Sequence, residues 1–174
     1  MLGYMRGQSS TNSIIAIFVI IILIVGGVWW YYSSSSAPAT QTTQQTNQGE
    51  EQAVTAAVTN FGKQLQMVPL SASSTTAANA IANYYAPYVA PDLLAQWQAA
   101  PTSAPGRLTS SPWPDRIDVT SVTKNADGTY TAQGTVAEVT SVEVQNGGAA
   151  NTYPVTLTLA NMNGSWLITT FARQ

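Results

Sequence analysis

The apolar positions of this chain fall into three regimes. Residues 14–32, IIAIFVIIILIVGGVWWYY, are an uncharged run of nineteen. At about 1.5 Å rise per residue, a helix of that length spans roughly the 30 Å of bilayer hydrocarbon, so the pattern predicts a transmembrane helix. From residue 51 the period becomes helical. Val54, Val58, Phe61, Leu65 and Val68 recur at i, i+4, i+7, i+11 and i+14, one face of an amphipathic helix that Pro69 ends. A second helix is expected over about 76–86, with Ala78, Ile81 and Tyr85 on one face. A third, short one opens on Pro91-Asp92 and carries Leu93, Leu94 and Trp97, because proline at the first helical position loses no needed hydrogen bond and a carboxylate suits the positive dipole end.

From Arg116 the period becomes two. Strands are expected at about 116–124, 129–144, 152–160 and 165–173, separated by Asp127-Gly128, Asn146-Gly147-Gly148 and Asn163-Gly164, which tolerate the positive φ of tight turns. The result is a four-stranded antiparallel meander. One face carries Thr129, Thr131, Thr135, Thr156 and Thr158; the other carries Tyr130, Ala132, Val136, Tyr153, Val155, Leu157 and Leu159. Such a sheet needs cover on its apolar face, and the helices ahead of it supply that, so the expected class is α+β. Asn163-Gly164-Ser165 also fits the N-glycosylation pattern, but its glycine assigns it to turn chemistry.

Between the first two regimes lies SSSSAPATQTTQQTNQGE, residues 33–50, with the composition of a solvated linker. The expected layout is a cytoplasmic amino terminus (1–13), a transmembrane helix (14–32), a flexible linker (33–50) and an α+β domain (51–174). Trp29, Trp30, Tyr31 and Tyr32 close the apolar run as an interfacial aromatic belt, and Arg6 is the positive residue on its other side, which predicts an extracytoplasmic domain on a single-pass membrane protein. Two processing sites compete with a permanent anchor. Ala37-Pro38-Ala39 has the small-x-small form of signal peptidase sites, and Arg6-Gly7-Gln8-Ser9-Ser10 resembles the class III signal of archaeal type IV pilins, cut after the glycine.

Composition narrows the chemistry. Cysteine and histidine are both absent, which removes thiolate and imidazole nucleophiles, the commonest neutral-pH base and the usual zinc ligands; no metal and no cofactor is expected. Formal charge is −2 and charged residues make up 8% of the chain. Without a basic cluster, nucleic-acid binding is disfavoured.

Helices first, then an antiparallel meander ending in Gly164-Ser165-Trp166-Leu167-Ile168-Thr169, resembles the nuclear-transport-factor-two-like superfamily over roughly residues 51–174. Behind one amino-terminal membrane helix, such a domain is similar to the inner-membrane assembly component of type IV secretion systems. The resemblance implies a cone-shaped fold with a concave pocket between sheet and helices. The superfamily hosts isomerases, dehydratases, binding modules and scaffolds, so the fold alone fixes no function. Candidate pocket or partner residues are Tyr84, Tyr88, Trp97, Trp113, Tyr130, Glu138 and Trp166. The aromatic ones equally suit a core, as does Tyr85. Glu138 shares strand parity with Tyr130 and Val136, so it faces inward, where a desolvated carboxylate beside a phenol can act as a base, unless a bulge in so long a strand turns it to solvent.

The stretch SSPWPDRI, residues 110–117, ends the long loop and delivers the chain into the first strand. Pro112 and Pro114 each fix φ and hold Ser111 and Trp113 extended. Trp113 then either plugs the open end of the fold or anchors a partner. Asp115 and Arg116, as strand neighbours, are expected to point to opposite faces and pair elsewhere, with Asp118 solvated. The function expected is a membrane-anchored binding or assembly module that takes a protein partner, self-associates or holds a small-molecule ligand. The alternatives are a cofactor-free isomerase or dehydratase using Glu138 and Tyr130, and a pilin-like filament subunit processed after Gly7.

Overall fold

The computed structural model describes residues 39–174. The apolar run 14–32, both expected processing sites up to Pro38 and the first part of the linker lie outside them. Among the described residues no helix is long and apolar enough to cross a membrane. The architecture is α+β. Helix α1 (Ala39–Gln64) runs into a 3-10 turn (Leu65–Met67) and is followed by α2 (Ser74–Tyr85) and α3 (Pro91–Ala99). The sheet comprises β1 (Trp113–Lys124), β2 (Tyr130–Val139), β3 (Asn151–Met162) and β4 (Ser165–Arg173), with α4 (Ser141–Asn146) between β2 and β3. All neighbours are antiparallel, in the order β1-β2-β3-β4.

Helix α1 buries the face its period announces: Val54, Val58, Phe61, Leu65 and Val68 are all fully buried. Gly62 lies on that face because nothing larger fits. A Cβ there would come within 2.5 Å of the Ile117 backbone nitrogen on β1. The helix also corrects the expected linker, since residues 39–50 are its first turns rather than coil. That stretch, ATQTTQQTNQGE, is dominated by Thr and Gln and has no apolar stripe, so periodicity could not reveal it. Once packing has nucleated α1, each added residue gains a backbone bond, and Ala and Gln propagate it well.

In α2 the Ser73 side chain caps the helix by accepting from the Thr76 backbone nitrogen at 3.2 Å. Ala77 is buried with Ile81 and Tyr85, in place of the expected Ala78, which is half-buried. Proline opens α3 as its sequence implies. The connection between them lies along β4: Ile168 donates its N–H to the Tyr88 carbonyl at 2.8 Å, and Ala90 donates to the Ile168 carbonyl at 2.9 Å. That pairing satisfies part of an edge strand.

In the sheet, Tyr130, Ala132, Val136, Val155, Leu157 and Leu159 are buried and the threonines of the other face are half-buried, as the alternation requires. Asn163 and Gly164 have φ of 54° and 86°, the backbone of the β3–β4 hairpin turn. Two boundaries differ from expectation. β1 begins at Trp113, three residues early. β2 stops at Val139, short of residue 144, because Thr140 and Glu143 form a capping box that starts α4: Thr140 Oγ1 accepts from the Val142 backbone nitrogen and the Glu143 carboxylate accepts from the Thr140 backbone nitrogen.

The register of β1 shifts between Pro114 and Arg116 and again between Val119 and Ser121. Asp115 is the extra residue of the first bulge, which suspends the strict alternation of faces. Asp115 and Arg116 consequently do pair, at 3.1 Å, and the exposed Asp118 completes the cluster at 3.0 Å, against the expectation that the neighbours would part. No such shift occurs between β2 and β3. The bulge expected to turn Glu138 outward is therefore absent, and Glu138 stays in register opposite Asn151, half-buried.

Candidate functional site

The space between sheet and helices is filled by the hydrophobic core, with a cluster of aromatic rings within it. Phe61 of α1 packs edge-on against Tyr85 of α2 with centroids 4.9 Å apart, and Trp97 of α3 lies 5.8 Å from Tyr85 and 6.3 Å from Phe171 of β4. The Tyr85 hydroxyl donates to the Pro105 carbonyl at 2.6 Å, so its polar tip is satisfied inside the core. Burial pushes the Tyr85 phenol well above its ordinary pKa, and the nearby Tyr153 adds to the shift. Trp97 is accordingly core, not pocket wall.

One recess lies at the end of the sheet where β1 and β3 begin and β2 and β4 finish. There Leu70, the 102–106 loop, Leu108, Tyr153, Phe171 and Arg173 surround a recess of about 240 Å³. Phe171 and Leu70 supply apolar surface; the Arg173 guanidinium lies 3.8 Å from the Tyr153 ring centroid. Among the described residues the Arg173 side chain makes no ion pair. Burial raises the Tyr153 pKa, the Glu138 carboxylate raises it further, and Arg173 opposes both. Glu138 is the diagonal neighbour of Tyr153 across the β2–β3 ladder, and its Oε2 accepts a hydrogen bond from Asn151 Nδ2 at 2.8 Å.

Trp113 belongs to the same end of the sheet, since it pairs with Val139 and its neighbour Pro114 pairs with Glu138. It is half-buried beneath Arg107, whose guanidinium lies 5.4 Å from the ring. Arg107 is already committed: Nε donates to the Thr109 carbonyl at 3.0 Å and Nη2 to the Ser110 carbonyl at 2.8 Å. Its backbone pairs with that of Val68 and Leu70, which ties the loop before β1 to the end of α1.

Tyr130 and Trp166 sit at the other end. Tyr130 is fully buried, with Trp166 edge-on at 5.0 Å, and its hydroxyl donates to Glu50 Oε2 at 2.9 Å. Lys124 Nζ donates to the same oxygen at 2.7 Å and to Asn47 Oδ1 at 3.1 Å. The hydrogen bond from Lys124, then that from Tyr130, holds Glu50 below the usual carboxylate range. Burial, then Glu50, raises Tyr130, and the bond to Glu50 raises Lys124. Tyr130 and Glu138 are separated by eight residues of one strand, on the order of 26 Å at about 3.3 Å per residue, so the acid–base pair expected of them does not assemble.

Tyr84 and Tyr88 are half-buried and pack on the rim of the core. The candidate residues thus divide among the core, the two ends of the sheet and the helical rim. Sequence reasoning missed Arg107 and Arg173, whose rarity in a charge-poor chain was the available signal, and Glu50 with Lys124, which are 74 residues apart and gave none. A second depression, about 520 Å³ and broadly open, runs between α1 (Gln48, Glu51, Gln52, Thr55) and residues 119–122 of β1. Among the described residues no group of three or more Asp or Glu gathers as a metal site would need. Compared with family models, with curated proteins and with solved structures, the chain matches none of them.

Proposed function

We propose that the protein is a single-pass membrane-anchored module whose α+β domain lies on the extracytoplasmic side, has the cone-shaped architecture of the nuclear-transport-factor-two-like superfamily, and acts by binding or assembly instead of catalysis. The apolar run 14–32 with its aromatic closure supports the anchor. Three helices ahead of a four-stranded antiparallel meander suit that superfamily's order of elements. The observation that carries the functional part is the aromatic filling of the interior by Phe61, Tyr85, Trp97 and Phe171. With that space occupied, and with Tyr130 bonded to Glu50 far from Glu138, the groups available to other molecules are at the surface and at the open end of the sheet.

Protease added to intact cells or spheroplasts is expected to remove the α+β domain while the membrane stays sealed. Full protection of the domain until the membrane is lysed would rule the topology out.

One observation favours a second reading, a pilin-like filament subunit. A pilin carries its apolar amino-terminal helix into the head domain; here α1, polar in its first turns, begins at Ala39, well before the domain boundary that composition suggested, so the chain matches in helical continuation and not in apolarity. The intact mass of the purified protein separates the two: loss of residues 1–7 supports prepilin processing, and a retained amino terminus excludes it. The same measurement detects cleavage after Ala39.

A further inference from the structure

Two arginines stack on aromatic rings near the open end of the sheet, and they differ in what their N–H groups do. Two of those of Arg107, on Nε and Nη2, donate to the carbonyls of Thr109 and Ser110 and fix that side of its fork. Arg173 lies over Tyr153 and bonds no carboxylate among the described residues. Stacking holds the planar guanidinium in one orientation, so its fork of donors loses less freedom on meeting a partner. The geometry that suits such a fork is a carboxylate, bound through two parallel N–H···O contacts.

The recess beside Arg173 defines the rest of the ligand. Leu70, Phe171, Ala104 and Leu108 make much of its wall apolar, and Leu108 is 62% exposed at the rim. The Tyr85 hydroxyl is occupied by the carbonyl of Pro105, a residue of the recess wall, and is not available from within. A volume of about 240 Å³ is below the roughly 300–1,000 Å³ of pockets that take drug-sized molecules. We propose that this recess binds a small carboxylate carried on a compact apolar body, with the carboxylate on the N–H edge of Arg173 and the body against Leu70 and Phe171. Glu138 does not line the recess, but it lies diagonal to Tyr153 across the β2–β3 ladder, where its charge opposes that of the ligand and keeps affinity modest. This goes beyond the anchored-module proposal and does not depend on which side of a membrane the domain faces.

Benzoate is the probe, with benzamide as its uncharged counterpart, titrated at fixed ionic strength into the full chain in detergent. Binding is followed by calorimetry and by the side-chain Nε resonances of ¹⁵N-labelled arginine. The expected result is saturable benzoate binding that moves the Arg173 resonance, with no saturable response to benzamide. Arg173→Gln should weaken binding by about tenfold or more, Arg107→Gln should leave it within about twofold, and Glu138→Gln should tighten it. Absence of saturable benzoate binding, equal binding of benzamide, or a response centred on Arg107 in the unaltered protein would overturn the assignment. Since the resonance test needs no variant, a failure of Arg173→Gln to fold leaves the outcome decisive.

Discussion

The two ends of the sheet each place a cation over a tyrosine ring, and only one of them closes the circuit. At the end where β1 meets β2 through the Asp127-Gly128 turn, Lys124 lies 5.6 Å from the Tyr130 ring, and ammonium and phenol bond the same Glu50 oxygen. At the opposite end Arg173 lies 3.8 Å from the Tyr153 ring, and the nearby Glu138 is bonded by Asn151. The first arrangement satisfies its own charges and ties α1 to the sheet; it is a clasp. The second leaves an exposed guanidinium, without an ion pair among the described residues, beside a recess that it helps to line. Equal ingredients therefore give a structural joint at one end and a candidate binding site at the other, and what separates them is whether a carboxylate from another element reaches the cation.

The largest expected effect tests the closed end. Tyr130→Ala removes a fully buried ring that Trp166 packs against, and should cost about 3–5 kcal/mol in denaturant melts of the full chain. A loss below about 1 kcal/mol would mean that this end is not held by its aromatic pair.

Gly62→Ala comes next. The added Cβ meets β1 backbone at 2.5 Å, not a flexible side-chain tip, so α1 must shift off the sheet, at about 1–3 kcal/mol. Because Gly62 lies between the two ends, this substitution should lower stability and loosen Glu50 from Lys124 together; hydrogen exchange along α1 would show it. Unchanged exchange there would argue that the clasp does not depend on how closely helix and strand approach.

Trp113→Ala probes the open end and sharpens the contrast. The ring is half-buried under Arg107, so its loss should cost less than that of Tyr130, about 1–2 kcal/mol, roughly half of full burial plus the cation–π contact. A cost matching that of Tyr130→Ala would favour Trp113 as a plug of the fold over a partner anchor.

The smallest effect is a pH profile. Glu50 has its pKa lowered by folding, so its contribution is present above the unfolded value, about 4.3, and is lost as pH falls through the lower folded value. Lys124 and Tyr130 are raised, so theirs is present below their unfolded values, about 10, and is lost as pH rises through the folded ones. Melting temperature of the full chain should therefore exceed that of Glu50→Gln by a constant amount across neutral pH, with the gap closing at both extremes. A gap that does not shrink at all as pH falls from neutrality to the acid limit would remove the carboxylate from this role.

Much of the fold was legible because burial repeats with the geometry of its element. The i, i+4, i+7 pattern of Val54, Val58 and Phe61 and the alternation of Tyr130, Ala132 and Val136 each follow directly from helical and strand periods. Residues 39–50 were illegible, since a polar helix has no stripe to detect. α4 carried a signal that hydrophobic alternation outweighed: Thr140-Ser141-Val142-Glu143 is a capping-box sequence inside what otherwise looks like strand. In the site, Trp113 and Glu138 were singled out and do share one end of the sheet, but their neighbours Tyr153 and Arg173 come from other strands.

By itself, the sequence determined the classes of element, the faces they bury, the turns that Gly128 and Gly164 make, and the absence of histidine and cysteine chemistry, because each depends on local geometry or on composition. Tertiary structure alone decided that four aromatic rings cluster between helices and sheet, that Glu50 reaches Tyr130 across 80 residues, that Asp115 is bulged toward Arg116, and that Arg173 lines a recess. Those outcomes depend on register and on the distance between helix and sheet. A one-residue shift of either would alter every contact without changing a single local preference.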